Sequence, residues 1–166
     1  MTPIGLMDKL ADFLREVLKD YTTEQTSGKL PVNVYPGWPP VRDNPKEKNS
    51  YVYVLVLETE DKDDPNELST AKVEIGFSIY DADKIDGWRS IFNIMEHVRQ
   101  ALLKHRFIGM KHRLVYPIKG TLADEPPYPQ WLGKLEVYYT IGQPVEEGIN
   151  YDDFQETKTT YGEYEK

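Results

Sequence analysis

Three histidines lie within sixteen residues of this sequence, and their spacing decides whether they can share a metal ion. His97 and His105 are eight residues apart, which places them about 80° apart around a helix axis. Two helical ligands of one ion need a spacing of three or four residues, and His112 belongs to a different element. The sequence therefore predicts exposed histidines on a basic surface rather than a metal site.

Closely spaced carboxylates are the second candidate for chemistry. The loop that contains Asp61, Asp63 and Asp64 shares some features with a calcium loop, but it lacks the central glycine and the spacing of a twelve-residue EF-hand site. No serine lies in a Gly-x-Ser-x-Gly turn, no glycine-rich phosphate loop is present, and the chain has no cysteine. We therefore expect no enzyme activity, no catalytic residue, no bound metal and no cofactor.

Two amphipathic helices are predicted from apolar residues that recur every three or four positions. One covers residues 85–106, with Asp86 as its N-cap. The other begins at Thr2 and Pro3, an N-cap followed by a proline at the first helical position. The apolar stripes comprise Trp88, Ile91, Phe92, Met95, Val98 and Leu102 in the first case, and Ile4, Met7, Leu10, Ala11, Leu14, Val17, Leu18 and Tyr21 in the second.

Apolar runs and alternating residues predict the strands. They fall over residues 31–35, 51–57, 70–81, 114–118 and 134–141. Pro117 places its strand at a sheet edge or a bulge, since proline cannot donate to the ladder. The last two strands are expected to pair as an antiparallel ribbon, and an α-helix that follows an alternating strand favours a helix packed across a sheet. We predict one domain over residues 1–142.

Charge is distributed unevenly along the chain, whose formal net charge is −8. Residues 143–166 contain seven acidic and two basic residues, a net of −5, and are predicted to form a flexible acidic tail. Residues 88–119 contain seven basic residues and a single acid, Glu96. This asymmetry favours an acidic and a basic surface, which serve either head-to-tail self-association or solvation alone.

Several broad classes of protein are disfavoured by the composition. No apolar run approaches the ~20 residues of a membrane span, and the N-terminal pattern is not that of a signal peptide. A pI of about 4.9 argues against sequence-specific nucleic-acid binding. The sequence predicts a soluble cytoplasmic protein without a membrane partner.

Arg99 is exceptional because it falls inside the apolar stripe, near Trp88 and Phe92. One interpretation is an arginine whose aliphatic stem covers the edge of the core and whose charge pairs with Glu96. The other is an interface arginine, since arginine is enriched where protein surfaces dock. Both interpretations are consistent with the sequence.

The order of elements resembles that of the tail-terminator and tail-completion proteins of long-tailed bacteriophages and prophages. The resemblance rests on the strand Val73–Tyr80, the helix Gly87–Leu103 and the closing segment Pro129–Val137, and it extends over roughly residues 4–142. It implies an α+β fold of order α-β-β-β-α-β-β, with both helices on one side of a mixed, mainly antiparallel sheet. It also implies a homo-oligomeric ring, such as a hexamer, that caps the tail tube and contacts the head connector.

A ring needs contacts that close after a fixed rotation, and complementary charged surfaces suit that requirement. Such a protein would work in the bacterial cytoplasm during assembly and then in the neck of the virion. There are two alternatives to the tail-terminator interpretation. One is another neck or minor tail protein, and the other is a non-phage adaptor with a regulatory acidic tail. The residues expected at the subunit or partner interface are Asp61, Asp63, Asp64, Arg89, Arg99 and Lys104.

Overall fold

The computed structural model of the chain describes residues 2–23, 30–41, 48–64, 66–125 and 127–144. The fold is α+β, as predicted, with two helices and a mixed sheet in these ranges. In chain order the elements are α1 (Pro3–Leu18), β1 (Thr22–Thr23), β2 (Leu30–Pro36), β3 (Ser50–Glu60), β4 (Thr70–Tyr80), α2 (Trp88–Lys104), β5 (Phe107–Ile108), β6 (His112–Leu122) and β7 (Gln130–Thr140).

The strands form a single sheet in the order β1-β2-β3-β4-β7-β6-β5. Only the β2–β3 pair is parallel among the described strands; the other neighbours are antiparallel. β6 and β7 form the predicted antiparallel ribbon, and the register of β6 shifts between Val115 and Lys119, around Pro117. The two-residue strands β1 and β5 were not predicted, because they are too short to show a period of two.

Both helices pack on the same side of the sheet, α1 over β2 and β3 and α2 over β7, β4 and β6. Alternation of side chains along β4 sends Val73, Ile75 and Phe77 towards the helices and Glu74 and Gly76 to the opposite side. The helix side holds the core, to which α1 contributes Leu6, Leu10 and Leu14 and α2 contributes Ile91, Ile94, Val98 and Leu102. The other side of the sheet, which neither helix covers, is called the open face below.

The helix ends differ in how well the sequence predicts them. Thr2 caps α1 as predicted, and its hydroxyl accepts a hydrogen bond from the Gly5 N–H at 3.3 Å. The predicted cap of α2 was wrong: Gly87 is the N-cap and provides no side-chain bond, while Asp86 pairs with Arg89 at 3.0 Å. The turn before α2 is held instead by Asp81, whose buried carboxylate accepts from the hydroxyl of Ser90.

Residues 145–166, most of the predicted acidic tail, lie outside the described residues. Neither described helix has the length and apolar character that crossing a membrane requires.

Candidate interaction surface

The apolar stripe of α2 divides into a buried part and an exposed part. Ile91, Val98 and Leu102 are buried as predicted, but Trp88 and Phe92 are 42 % and 50 % exposed. The prediction that these two aromatic residues join the core is therefore wrong, because the helix presents Ile94 rather than its aromatic edge to the sheet. Trp88, Phe92 and Arg99 form one exposed strip along the helix, called the α2 ridge below.

Arg99 lies at the end of this ridge. Its guanidinium pairs with Glu96 at 2.9 Å, one turn earlier, and its side chain is 46 % exposed. The predicted pairing with Glu96 is confirmed. The exposed aromatic neighbour Phe92 gives the arginine an environment typical of docking surfaces, in which aromatic and arginine side chains are enriched.

A shallow groove separates the α2 ridge from the edge of the sheet. Phe92, Glu96 and Arg99 form its helical wall, and Met95 and Leu135 lie at its base. Its far wall is the end of β6, at Gly120, Thr121 and Leu122. The groove therefore runs alongside a sheet edge, with an apolar base and one ion pair on its rim.

The edge of the sheet beside this groove is unpaired among the described residues. β5 pairs only with His112 and Arg113, so the later residues of β6 have β7 as their single described neighbour. The Ala123 N–H donates to the Leu132 carbonyl at 3.2 Å, so the main-chain groups of Ala123 point towards β7. Because main-chain groups alternate along an antiparallel strand, those of Gly120 and Leu122 point away from β7. Residues 118–122 are called the β6 edge below.

The open face carries a compact polar network in place of a second apolar layer. Lys134 lies 3.4 Å from both Glu74 and Glu136, and the Tyr53 hydroxyl donates to Oε2 of Glu74 at 3.2 Å. Burial, together with the negative charge of Glu74, raises the pKa of Tyr53 to about 12. The Lys134 ammonium beside two carboxylates has a pKa above its ordinary value. Lys134 offsets one of the two carboxylate charges, and burial beside the Glu74 carboxylate holds the tyrosine in its protonated form.

The acidic residues expected at an interface lie together in the loop between β3 and β4. Asp61, Asp63 and Asp64 are all exposed, and the Asp64 carboxylate accepts from the Asn66 N–H at 2.8 Å. The main chain fixes the base of the loop, since Ile141 donates to the Ser69 carbonyl at 2.9 Å.

The basic residues expected there are spread along α2. Arg89 is in its first turn and Lys104 in its last, about 22 Å apart at 1.5 Å per residue. Arg89 stacks on the Trp88 ring, with Cζ 4.8 Å from the centroid. The structure therefore does not gather Arg89, Arg99 and Lys104 into one cluster.

The acidic loop and the basic residues around Lys104 lie at the same end of the sheet. Thr140 connects the two regions, because it pairs with Thr70 at the start of β4 and its side chain accepts from the Arg113 N–H at 2.9 Å. Only β7 separates β4 from β6, so the two regions are about two strand spacings, or ~10 Å, apart. In a two-fold contact the same patch of both subunits meets, so an acidic region beside a basic region can pair with its own copy. A head-to-tail contact instead needs the two charges on separate surfaces of the subunit.

The three histidines lie in three different environments. His97 packs against the ring of Tyr21 and His105 against that of Phe13. His112 is buried, contrary to the expectation of exposure, and its Nδ1 donates to the Thr140 carbonyl at 2.9 Å. Within the described ranges, no group of three histidine or acidic side chains is placed to hold a metal ion.

No protein-family model matches the sequence, and no curated protein matches it. Among the known structures that resemble the chain, one is a protein whose name states no function. It has 15 % identity and a TM-score of 0.42, over 84 % of this chain and 97 % of that one. Another is the sheath/tube terminator of an extracellular contractile injection system, PVC, in the extended state. It has 10 % identity and a TM-score of 0.33, over 86 % of this chain but only 61 % of the terminator. At these TM-scores neither likeness carries a statement about function.

Proposed function

We propose that this chain is a structural assembly protein of a phage-type tail. It acts as a tail terminator, a ring that caps the tail tube and joins it to the head connector. Its work is protein–protein contact rather than catalysis, and it takes place in the bacterial cytoplasm and later in the virion neck. The longer elements of the fold follow the order that carries the family resemblance, with the two-residue strands β1 and β5 added.

The observation that carries the proposal is the α2 ridge beside the groove. On α2 the aliphatic residues Ile91, Ile94, Val98 and Leu102 are buried, whereas its two largest apolar side chains, Trp88 and Phe92, are half exposed on the same ridge as Arg99. Aromatic residues and arginine at the centre of a contact supply most of the binding energy in protein interfaces. A ring needs such a surface on one flank of each subunit and a complementary surface on the other.

The contact surface of this proposal differs from the charge pairing expected from the sequence. The acidic loop and the basic residues near Lys104 adjoin at one end of the sheet, so they do not provide the two separate flanks of a ring. The α2 ridge begins in the first turn of α2, at the end of the helix opposite to Lys104.

The experiment is a measurement of native mass by light scattering over a wide concentration range, with electron microscopy of the same samples. Closed rings of a fixed number of copies support the terminator role. A monomer at every concentration, with no binding to purified tail-tube or head-connector protein, overturns it. Open or two-fold assemblies that bind only another tail component favour a different neck or minor tail protein.

A further inference from the structure

We propose that the β6 edge binds residues 145–166 of a second copy of this chain as an added β-strand. The inference rests on the proposed function and specifies how neighbouring subunits make contact. Main-chain hydrogen bonds supply the affinity in this mode of binding, and pockets for alternate side chains supply the specificity.

The β6 edge is exceptional because other edge positions of the same sheet are covered by arginines. On β2, Arg15 donates from Nε and Nη2 to the Val34 carbonyl at 3.2 and 3.0 Å. At the start of β6, Arg106 donates to the Leu114 carbonyl at 3.0 Å and accepts at its own carbonyl from the Leu114 N–H. In the described part of the chain, no hydrogen bond covers the outward main-chain groups of Gly120 and Leu122. An uncovered strand edge is a template for another strand.

The groove provides the space that an added strand needs. Gly120 is in register with Leu135 and so faces the helix side, where a β-carbon on it would lie 3.3 Å from Leu135 Cδ2 and 3.6 Å from Met95 Cε. A glycine inside a strand often marks a place where another backbone approaches closely. Side chains of an incoming strand would enter between this glycine and Phe92, over an apolar base.

Residues 145–166 have the composition that this groove and edge require. In an extended segment Ile149 and Tyr151 lie on one face, while Asn150 and Asp152 lie on the other. The segment has a net charge of −5. Lys119 at the β6 edge is an exposed cation, and Arg99 beside the groove is an exposed cation paired with Glu96. The β6 edge offers only five residues, whereas the segment has 22, so its length is sufficient.

Geometry favours a second copy over the same chain. The chain leaves β7 at the end of the sheet where β6 begins, and β5 already lies along the outer side of β6 there. A segment of the same chain would have to pass β5 and then run parallel to β6. The segment of a second copy can approach from the other end and pair antiparallel, which is the more stable arrangement per residue.

Cysteine cross-linking of the full-length protein tests the inference, because the chain has no cysteine of its own. One protein carries Thr121→Cys, whose side chain is exposed on the open face at the β6 edge, and a second carries Asn150→Cys. In the matched control, a protein carrying Asn33→Cys takes the place of the Thr121→Cys protein in the mixture with Asn150→Cys. Asn33 is exposed near the opposite edge of the sheet. The mixtures are treated with a short bismaleimide, and the product joining the two different chains is quantified by mass.

We expect at least tenfold more of the mixed product from Thr121→Cys with Asn150→Cys than from the control pair. If the protein forms rings but the mixed cross-linked product is absent, the strand addition is overturned and the proposed function stays intact. A third protein carries both Thr121→Cys and Asn150→Cys. If it forms the link within one chain while the mixtures give no mixed product, the segment folds back on its own subunit, which overturns the second-copy assignment. If neither rings nor links form, the strand addition is overturned; if the protein also fails to bind purified tail-tube or head-connector protein, the proposed function is overturned as well.

Discussion

The ring of Tyr53 lies directly over Gly76 on the open face of the sheet. The two residues are register partners on β3 and β4, and the ring occupies the position that a β-carbon on residue 76 would take. The hydroxyl reaches Glu74, two residues away on the same face, at 3.2 Å. The glycine therefore allows the tyrosine to lie flat and reach the Glu74–Lys134–Glu136 network.

Substitution of Gly76 by alanine should destabilise the fold. The new methyl group displaces the Tyr53 ring and breaks its bond to Glu74, so we expect the free energy of unfolding to fall by about 1–3 kcal/mol in denaturant titration. The control is Gly142→Ala, where no atom lies within 4 Å of the new β-carbon. If Gly76→Ala is as stable as this control, the ring is not constrained by the glycine.

The stability of the protein should decrease above pH 10. Burial and the Glu74 charge raise the pKa of Tyr53 from 10.0 to about 12, so the folded state holds this proton more tightly than the unfolded chain does. The contribution is fully present below pH 10 and is lost as the pH rises towards 12. Denaturant titrations between pH 9 and pH 12 should show a shallower loss for Tyr53→Phe than for the native chain. If the free energy of unfolding falls equally steeply with pH in both proteins, Tyr53 does not contribute to the pH dependence of stability.

Arg15 should stabilise the exposed edge of β2. Its two hydrogen bonds to the Val34 carbonyl are part-buried, and we expect Arg15→Ala to lower the free energy of unfolding by about 1–2 kcal/mol. The control is Asp12→Ala, which removes only the exposed ion pair with Arg15 and should cost at most about 0.5 kcal/mol. If the two substitutions lower the free energy of unfolding equally, the stability comes from the ion pair with Asp12 and not from the hydrogen bonds of Arg15 to the Val34 carbonyl.

The sequence is most informative where one period dominates. Apolar repeats predict both helices and the five longer strands, and Pro117 predicts an edge or a bulge in β6, where the register shifts. The sequence misplaces Trp88 and Phe92, because a helical wheel gives the apolar face but not the rotation at which Gly133 and Met95 seat the helix on the sheet. It cannot show that Thr140 brings the acidic loop next to the start of β6, since that proximity depends on the insertion of β7 between β4 and β6.

Only part of the candidate interaction surface can be recognised in the sequence. Arg99 is visible in the sequence as a charge within an apolar stripe, and in the structure it lies at the end of the exposed α2 ridge. Gly120 and Leu122 give no such signal, because their importance lies in main-chain groups that face away from β7. A strand edge is a property of sheet order, which residue periodicity does not encode.

Arg99 should matter for assembly and little for folding. Its ion pair with Glu96 is exposed, so we expect Arg99→Ala to change the free energy of unfolding by less than about 0.5 kcal/mol. As part of the α2 ridge, the same substitution should raise the concentration needed for half-maximal assembly at least tenfold, and Phe92→Ser should do the same. Lys19→Ala is the matched control, because it removes an ion pair of the same i,i+3 spacing with Glu16 on α1, which is exposed and lies outside the ridge. Light scattering reports assembly, and thermal melting of the dilute protein reports folding. A less stable monomer with unchanged assembly would assign Arg99 to the edge of the core and end its role at an interface.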